Sequence, residues 1–367
     1  MTEKKKKRRT TPLTPALIVM AFSLFFTIVI CLVLVVLIFS SGKGGLSLFE
    51  KESEKPSEFA SEEPVPVTYT QSEVDEMVAN ARAEGAAEKE GEIKTYIQSE
   101  AESNNPSFAT VLRKMYPESI VYSGDGRFYF EPIDDSFPKN TYARENYVTE
   151  ENGFRYYDEN GERKTTLCID VSSHQGSIDW PKVASSGVSA AMIRAGYRGY
   201  GSGKMVEDEK VHANIAGARA NNIEAGIYYF SQAINEAEVD EEVAALLDIA
   251  REDGVNGPIA IDVEKLDAET ARGNALSAEE RTRLTIYFCE QVKQAGYEPM
   301  IYGNAYSLFH MLNYSEIRQY KIWYAFYSDF NYFPYSCYMW QYSSNGSIPG
   351  ISGAVDLNVR YQMPAQG

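Results

Sequence analysis

From Leu167 onward the sequence repeats a short apolar segment of strand-forming residues, often followed by a longer segment with helical periodicity. The helical pattern is clearest over 237–253 and 277–295. Eight apolar segments within about 200 residues, mostly alternating with helices, predict an α/β fold with a TIM-like β/α barrel. The last three segments leave little chain for helices, so the expected barrel is incomplete. In order, the segments are LCIDVS, AAMIRAGY, EAGIYYFS, GPIAIDVE, EPMIYGN, KIWYAFY, YMWQYS and AVDLNV.

The fourth segment, continued as GPIAIDVEKLD, carries two acids, Asp262 and Glu264, where a buried strand favours apolar residues. In a strand, residues i and i+2 point to the same side, and their Cα atoms lie roughly 6.5 Å apart. Each carboxylate then opposes ionisation of the other. Strands of a parallel barrel end at one rim, where functional side chains gather. Asp170, from the first segment, and Asp356, from the last, are therefore expected beside this pair.

Four further side chains are expected at the same rim, one from each of four other segments. They are Arg194, Tyr228, Tyr302 and Trp323. Aromatic rings stack on sugars, while carboxyl groups protonate a leaving oxygen and stabilise an oxocarbenium-like centre. Each residue alone also has a structural interpretation: barrel packing for the aromatic residues, an ion pair with one of the acids for the arginine, and a turn or strand end for Asp170 and Asp356. Four acids at one rim favour a site, because burying unpaired carboxylates is costly.

Other kinds of site find little support in the sequence. No glycine-rich loop follows the first segment, which disfavours the alternative of a doubly wound nucleotide-binding sheet. The three histidines, His174, His212 and His310, are too scattered to predict a zinc site. We expect neither a metal nor a cofactor.

Residues from about Leu167 to Tyr361 resemble the family 25 glycoside hydrolases, which are lysozymes acting as N-acetylmuramidases. The matching motifs occur in family order: CIDVSSHQGSIDWPKV, AMIRAGYRGYG, AGIYYFS, PIAIDVE, PMIYGN, IWYAFY, WQYSS and GAVDLNVRY. The resemblance implies cleavage of the β-1,4 bond between N-acetylmuramic acid and N-acetylglucosamine in peptidoglycan. It also implies that Glu264 is the proton donor and that Asp262 stabilises the substrate's 2-acetamido group or the developing cation. Asp170 and Asp356 would hold the sugar and tune those carboxyl groups.

Two other functions stay open from the sequence. One is a catalytically silent glycan-binding or scaffold protein, which retention of all four acids disfavours. The other is a glycosidase for a different N-acetylated glycan, such as chitin. A panel of substrates separates the second from a muramidase, because only peptidoglycan requires the site to accept a lactyl group.

The N-terminal region predicts a membrane anchor. Residues 1–15 form a basic tail, and residues 16–39 form a run of 24 without a charged side chain. Such a run exceeds the ~20 residues that a helix needs to cross a bilayer. The basic tail predicts a cytoplasmic N-terminus, with the remaining chain outside a bacterial cell membrane. A cleaved secretory signal is the alternative, although its apolar region is normally shorter.

Three segments are expected between the anchor and the barrel at 166–364. Residues 40–69 are rich in Glu, Ser and Pro and predict a disordered linker. Residues 70–104 predict a stalk helix, opened by the capping-box pattern Thr70-Gln-Ser-Glu73, through which a homodimer is conceivable. Residues 105–165 predict a small α+β adaptor with two hairpins, turning at 123–126 and 158–161.

Charge and cysteine content exclude further classes. The first 14 residues carry +5, which leaves −22 on the rest of a chain whose net charge is −17. Nucleic-acid binding requires a basic surface and is not expected. Three cysteines follow the predicted anchor, too few for a disulfide scaffold. A Cys168–Cys337 bridge stays open at this point, with buried free thiols as the favoured interpretation.

Overall fold

The computed structural model describes residues 69–102, 107–268 and 270–362. The chain divides into two compact units, Met1–Glu73 and Val74–Gly367. The predicted basic tail 1–15, membrane helix 16–39 and nearly all of the linker 40–69 lie outside the described residues. Within the described part, none of the helices is both long enough and apolar enough to span a bilayer.

The first described element is helix α1 (Gln71–Ala101), at the position of the predicted stalk. Its N-terminus has the predicted capping box, in which the Thr70 N–H donates to Glu73 Oε2 at 2.7 Å and the Glu73 N–H donates to Thr70 Oγ1 at 3.3 Å. Apolar side chains such as Val74 and Met77 are exposed and do not gather on one face. The helix therefore gives no support to a homodimer through the stalk.

Helix α2 (Phe108–Met115) opens the adaptor. A hairpin follows, made of β1 (Ser119–Gly124) and β2 (Arg127–Pro132), and then a sheet made of β3 (Tyr147–Thr149), β4 (Arg155–Glu159) and β5 (Glu162–Arg163). Asp125-Gly126 and Asn160-Gly161 form the two hairpin turns, and all four residues have positive φ. Asp, Asn and Gly tolerate this conformation best, which explains why both turns use them.

The adaptor shares one hydrophobic core with the barrel. Ile120 and Tyr122 from β1, Phe154 from the loop before β4, and Tyr156 belong to the same buried cluster as the barrel's outer layer. Polar contacts cross the same boundary, since the Asp134 N–H donates to Tyr335 Oη at 2.8 Å. The adaptor is therefore packed onto the barrel as part of one folded body.

Eight strands close into a barrel, with a ninth, β8, paired only to β7. In chain order the strands are β6 (Thr165–Val171), β7 (Val188–Arg198), β8 (Met205–Glu207), β9 (Glu224–Phe230), β10 (Ile259–Asp262), β11 (Pro299–Asn304), β12 (Lys321–Ala325), β13 (Met339–Gly346) and β14 (Val355–Tyr361). Strand β6 pairs with both β7 and β14, which closes the ring and rules out the doubly wound alternative. The fold is thus the α/β barrel that the segment pattern predicts.

One strand departs from a parallel barrel. Strand β14 runs antiparallel to both neighbours, β13 and β6, whereas the strands from β6 through β13 that close the ring pair in parallel. A short connection after β13 allows this direction, because antiparallel neighbours need no crossover helix. Helices α3 (Trp180–Ser185), α4 (Val211–Ala220), α5 (Glu236–Glu252), α6 (Ala278–Gln294) and α7 (Tyr314–Ile317) all precede β12. The expected shortage of helices among the last strands is therefore observed.

Side chains alternate between two apolar layers. On β6, Leu167 and Ile169 face the outer layer beneath the helices, whereas Cys168 faces the barrel interior with Met300. Cys337 lies in the outer layer, so the Cys168–Cys337 bridge that the sequence left open is not formed. Within the described residues Cys168, Cys289 and Cys337 are all buried free thiols.

Candidate active site

Asp170 and Asp356 lie opposite each other at the top of the barrel. They are register partners in the antiparallel pair of β6 and β14. Asp170 stands near the end of β6, but Asp356 stands near the beginning of β14. The expectation that every acid follows a strand end is therefore corrected: the reversed direction of β14 brings its first residues to the rim where the parallel strands end. Side chains of such partners lie about 5 Å apart at Cβ.

Asp262 and Glu264 occupy the same rim, but not as two residues of one strand. Asp262 is the last residue of β10, where it aligns with Tyr302 on β11, and Glu264 lies two residues beyond the strand. The strand-face argument for Glu264 is therefore corrected. Its carboxyl group nevertheless acts electrostatically on both Asp262 and Asp170, so all four acids form one cluster.

Neutral amides hold Asp170 in place. Gln341 Nε2 and Asn358 Nδ2 both donate to Asp170 Oδ2, at 3.0 and 2.8 Å. Trp323 Nε1 in turn donates to Asn358 Oδ1 at 2.7 Å. Gln341 and Asn358 were not predicted as site residues from the sequence. The signal for Asn358 was its place two residues after Asp356, which puts both side chains on the same face of β14.

Burial raises the pKa of every acid in the cluster, and repulsion by neighbouring acids adds to the shift for Asp170, Asp262 and Glu264. Burial, with the charge of Asp356 next, raises the pKa of Asp170 to about 8. Burial raises the pKa of Asp356 to about 6, and burial together with Glu264 and Asp170 raises the pKa of Asp262 well above its ordinary range. Burial also raises the pKa of Glu264, although a hydrogen bond from Tyr302 opposes the shift. The cluster therefore retains protons near neutral pH.

One carboxyl oxygen in the cluster has no partner. Asp262 Oδ1 is buried and accepts no hydrogen bond from any residue that the structure describes. Leaving a buried acceptor unsatisfied costs roughly 1–3 kcal/mol. A donor on a bound ligand, such as an amide N–H, would satisfy this oxygen.

Arg194 does not form an ion pair with any of the four acids, so the structural interpretation of this residue, an ion pair within the acid cluster, is not observed. Its Nε donates to Asp208 Oδ2 at 2.9 Å, and its guanidinium also donates to Ser173 Oγ at 3.2 Å. Burial alone would raise the pKa of Asp208, but N–H groups of Ser173 and Lys210 and the Arg194 guanidinium lower it overall. Asp208 gave no signal in the sequence, because its partners come from distant segments.

A cleft of about 390 Å³ opens beside this ion pair. It is lined by Ser173, His174, Arg194, Tyr197, Val206, Glu207, Asp208, Glu209 and Phe230. Tyr197 is partly exposed, and its ring lies 5.8 Å from the Arg194 guanidinium carbon. The cleft thus combines an aromatic ring with hydrogen-bonding groups, as sugar-binding surfaces do.

The predicted aromatic residues lie deeper than expected. Trp323 is 1% exposed and Tyr302 is 7% exposed, so neither presents a ring face to a sugar. Tyr228, which packs edge-to-face on Trp323 with ring centroids 5.8 Å apart, is partly buried. The stacking role expected of Trp323 is therefore corrected, because its ring fills the barrel interior and its N–H supports Asn358.

Tyr327 has the exposed ring that the sequence analysis assigned to other aromatics. It is 50% exposed, and its Oη donates to Gln341 Oε1 at 3.2 Å. Burial of the hydroxyl and the nearby charges of Asp356, Asp170 and Glu264 raise the pKa of Tyr327 to about 12. Tyr327, the last residue of the motif KIWYAFY, therefore has a ring that lies beside the acid cluster and is exposed on one side.

Across residues 69–102, 107–268 and 270–362, no three His, Cys, Asp or Glu side chains are grouped so as to hold a metal ion.

Comparison with known proteins gives a family match and several relatives. The family model described as glycosyl hydrolases family 25 matches residues 169–351. The uncharacterized protein YegX of Escherichia coli O157:H7 is 30% identical over 198 residues, which are 52% of this chain and 68% of that protein. YegX of Escherichia coli K12 is 28% identical over 196 residues, with the same coverage of 52% and 68%.

Two solved structures match part of this chain. The modular autolysin LytC from Streptococcus pneumoniae, in complex with a synthetic peptidoglycan ligand, is 23% identical with a TM-score of 0.49. The match covers 66% of this chain and 57% of LytC, so this chain spans little more than half of that protein. The bacterial lysozyme from Streptomyces coelicolor is 24% identical with a TM-score of 0.44, over 55% of this chain and 93% of the lysozyme.

The raised pKa of Asp170 predicts a stability cost that depends on pH. Folding raises this pKa from 3.8 to about 8, so the folded chain binds the proton more tightly, and stability falls as pH rises through that window. Asp170→Asn removes the charge and keeps an acceptor for both amides. We expect its free energy of unfolding to exceed that of the wild type by roughly 1–3 kcal/mol at pH 8, with the difference shrinking toward pH 4.

Urea unfolding followed by tryptophan fluorescence measures this difference, because Trp180, Trp323 and Trp340 all lie within the barrel region. Asp248→Asn, on the exposed face of α5, is the matched control and should change stability little at either pH. A loss of stability in Asp170→Asn at pH 8 would contradict the expectation.

Proposed function

This chain belongs to glycosyl hydrolase family 25, and on that premise we propose that it cleaves the β-1,4 bond between N-acetylmuramic acid and N-acetylglucosamine in peptidoglycan. The observation that carries the proposal is the cluster of four acids at one barrel rim, all with raised pKa values. Paired carboxyl groups of this kind are what glycoside hydrolysis requires.

Glu264 is the proton donor in this proposal. Burial raises the pKa of its carboxyl group above the ordinary glutamate value, which favours the protonated form, and the backbone beyond β10 leaves it at the open end of the barrel. Its proton passes to the glycosidic oxygen as the bond from that oxygen to C1 of N-acetylmuramic acid breaks. The bonding electron pair stays on the oxygen, which leaves as a hydroxyl of N-acetylglucosamine. Water then supplies a hydroxyl group to C1 and returns a proton to the acid cluster.

Asp262 stabilises the N-acetylmuramic acid unit, whose C1 loses the glycosidic oxygen. Its unpartnered buried Oδ1 is an acceptor for the N–H of the 2-acetamido group. The carboxyl group of Asp262 also stabilises positive charge that develops at C1. Asp170 and Asp356 tune the carboxyl groups beside them, since the charge that each acquires on ionisation opposes ionisation of its neighbours.

Two surfaces beside the acids are suited to hold the glycan strand. The exposed ring of Tyr327 provides a stacking face next to the cluster, and the cleft at Arg194 and Asp208 provides polar contacts for further sugars. Tyr228, Tyr302 and Trp323 shape the floor of the site beneath the substrate.

Glu264→Gln is expected to reduce the turnover of purified peptidoglycan by at least about 10³-fold, because the amide cannot donate an acidic proton. Reduction of the products followed by mass spectrometry detects new muramic acid reducing ends. The full chain in detergent micelles is used, and Glu279→Gln, on the exposed first turn of α6, is the matched control. Wild-type activity should also fall as pH rises through the raised pKa of Glu264.

The outcomes separate the alternatives. Glycan binding without new reducing ends from the wild type would contradict the proposal and support a silent scaffold protein. Hydrolysis of chitin oligomers with no hydrolysis of peptidoglycan would support a glycosidase for another N-acetylated glycan.

We further propose that the enzyme is anchored in a bacterial cell membrane by residues 16–39, with the barrel outside. The uncharged run and the basic tail before it support this orientation. The full chain should sediment with membranes and be degraded by protease added to spheroplasts, whereas a variant lacking 16–39 should not sediment with membranes. Equal sedimentation of the two forms would contradict anchoring by this segment.

A further inference from the structure

The tip of the β1–β2 hairpin reaches the residue that follows Glu264. Asp125, in the hairpin turn, forms an ion pair with Lys265 Nζ, and its other carboxylate oxygen accepts a hydrogen bond from Tyr306 Oη at 2.6 Å. The ion pair joins residues 140 positions apart in the chain. A segment outside the family match thus contacts the loop that carries the proposed proton donor.

The hairpin fits closely at this point. A Cβ atom added to Gly124 would lie 2.0 Å from the ring of Tyr306, so only glycine fits there without movement. The rings of Tyr122 and Tyr129 pack edge-to-face on Tyr306, with centroids 6.3 and 5.9 Å away, and Tyr129 also contacts His310. This packing fixes where Asp125 stands relative to Lys265.

The position of Lys265 matters because of its neighbours. Glu264, one peptide bond away, lies among groups that carry or acquire negative charge: Asp170, Asp262, Asp356, Tyr302 and Tyr327. The groups around Lys265 itself are Asp125, Arg127, Tyr306, His310 and Arg281, of which Asp125 is the anion that it binds. The Lys265 ammonium also lies 5.4 Å from the Tyr306 ring centroid.

An ammonium group that moved toward the acid cluster would favour the ionised form of Glu264 and lower its pKa. Arg194, the cation that already acts on Asp262, is held by Asp208 and does not pair with the acids. Among the described residues of the barrel rim, no carboxylate forms an ion pair with Lys265. The adaptor supplies one in Asp125.

We propose that Asp125 is a positioning residue for the hydrolase, holding the Lys265 ammonium at the hairpin and away from the acid cluster, so that Glu264 keeps the proton it donates. This inference rests on the proposed function. It gives the adaptor an indirect part in catalysis, because the hairpin controls the charge around Glu264 without touching it.

The test is the pH profile of kcat/KM on peptidoglycan for the full chain. Asp125→Asn releases Lys265. The high-pH limb of the profile should then shift toward lower pH by roughly one unit, as expected for a unit charge several ångströms from Glu264. Adding Lys265→Gln to the same chain removes the released cation and should return the limb to its wild-type position. Asp135→Asn, which removes an exposed adaptor carboxylate paired with Lys139, should leave the profile unchanged.

Each other result overturns the inference. An Asp125→Asn profile equal to the wild type means that the ion pair has no effect on Glu264. Lower activity at every pH that Lys265→Gln does not restore means that Asp125 only supports the fold. A wild type that releases no reducing ends overturns the proposed function together with this inference, whereas the first two results leave the function standing.

Discussion

The closing strand β14 determines how the site is built. Because it runs antiparallel between β13 and β6, it contributes its first residues to the rim where the parallel strands end. Asp356 consequently faces Asp170, and Asn358 lies one step deeper, where it links Trp323 to Asp170. A parallel strand in the same place would bring the other end of β14 to the rim. The direction of β14 therefore determines the positions of Asp356 and of Asn358, the amide that holds Asp170.

Burying four acids close together costs free energy, and the surrounding barrel offsets this cost. Four carboxyl groups that repel one another are held by a barrel whose deeper interior is apolar, with Met192, Met300 and Met339 beneath them. Neutral amides, not cations, contact Asp170, so its proton is not displaced by a full positive charge. Arg194, at the rim, forms an ion pair with Asp208. Arg194 and Lys265 thus form ion pairs with Asp208 and Asp125 and not with the acid cluster. This arrangement favours the protonated form of Glu264, the proposed proton donor.

The sequence predicted the barrel and the four acids because both leave a local pattern. Apolar segments alternate with helices, and an acid within an apolar segment stands out. The direction of β14 could not be predicted, because a strand has the same alternation whichever way it runs. The sequence left open whether Trp323 packs in the barrel or contacts a sugar, because aromatic residues favour strands whether they face a core or a ligand.

Other features depend on contacts between distant parts of the chain. The partner of Arg194 comes from beyond β8, and the hairpin that carries Asp125 lies 140 residues before Lys265. Tyr327 follows the end of β12, so the exposure of its ring depends on the loop that comes after it. No local periodicity encodes such contacts.

The most direct test of this account is the protonation state of Glu264. Carbon-13 NMR of the full chain, labelled at glutamate carboxyl carbons and assigned with Glu264→Gln, follows this group through a pH titration. If Glu264 is the proton donor, its carboxyl group should titrate clearly above the ordinary glutamate value of 4.5. Titration at or below 4.5 would contradict this role, because the proposed donor would then have lost its proton before neutral pH.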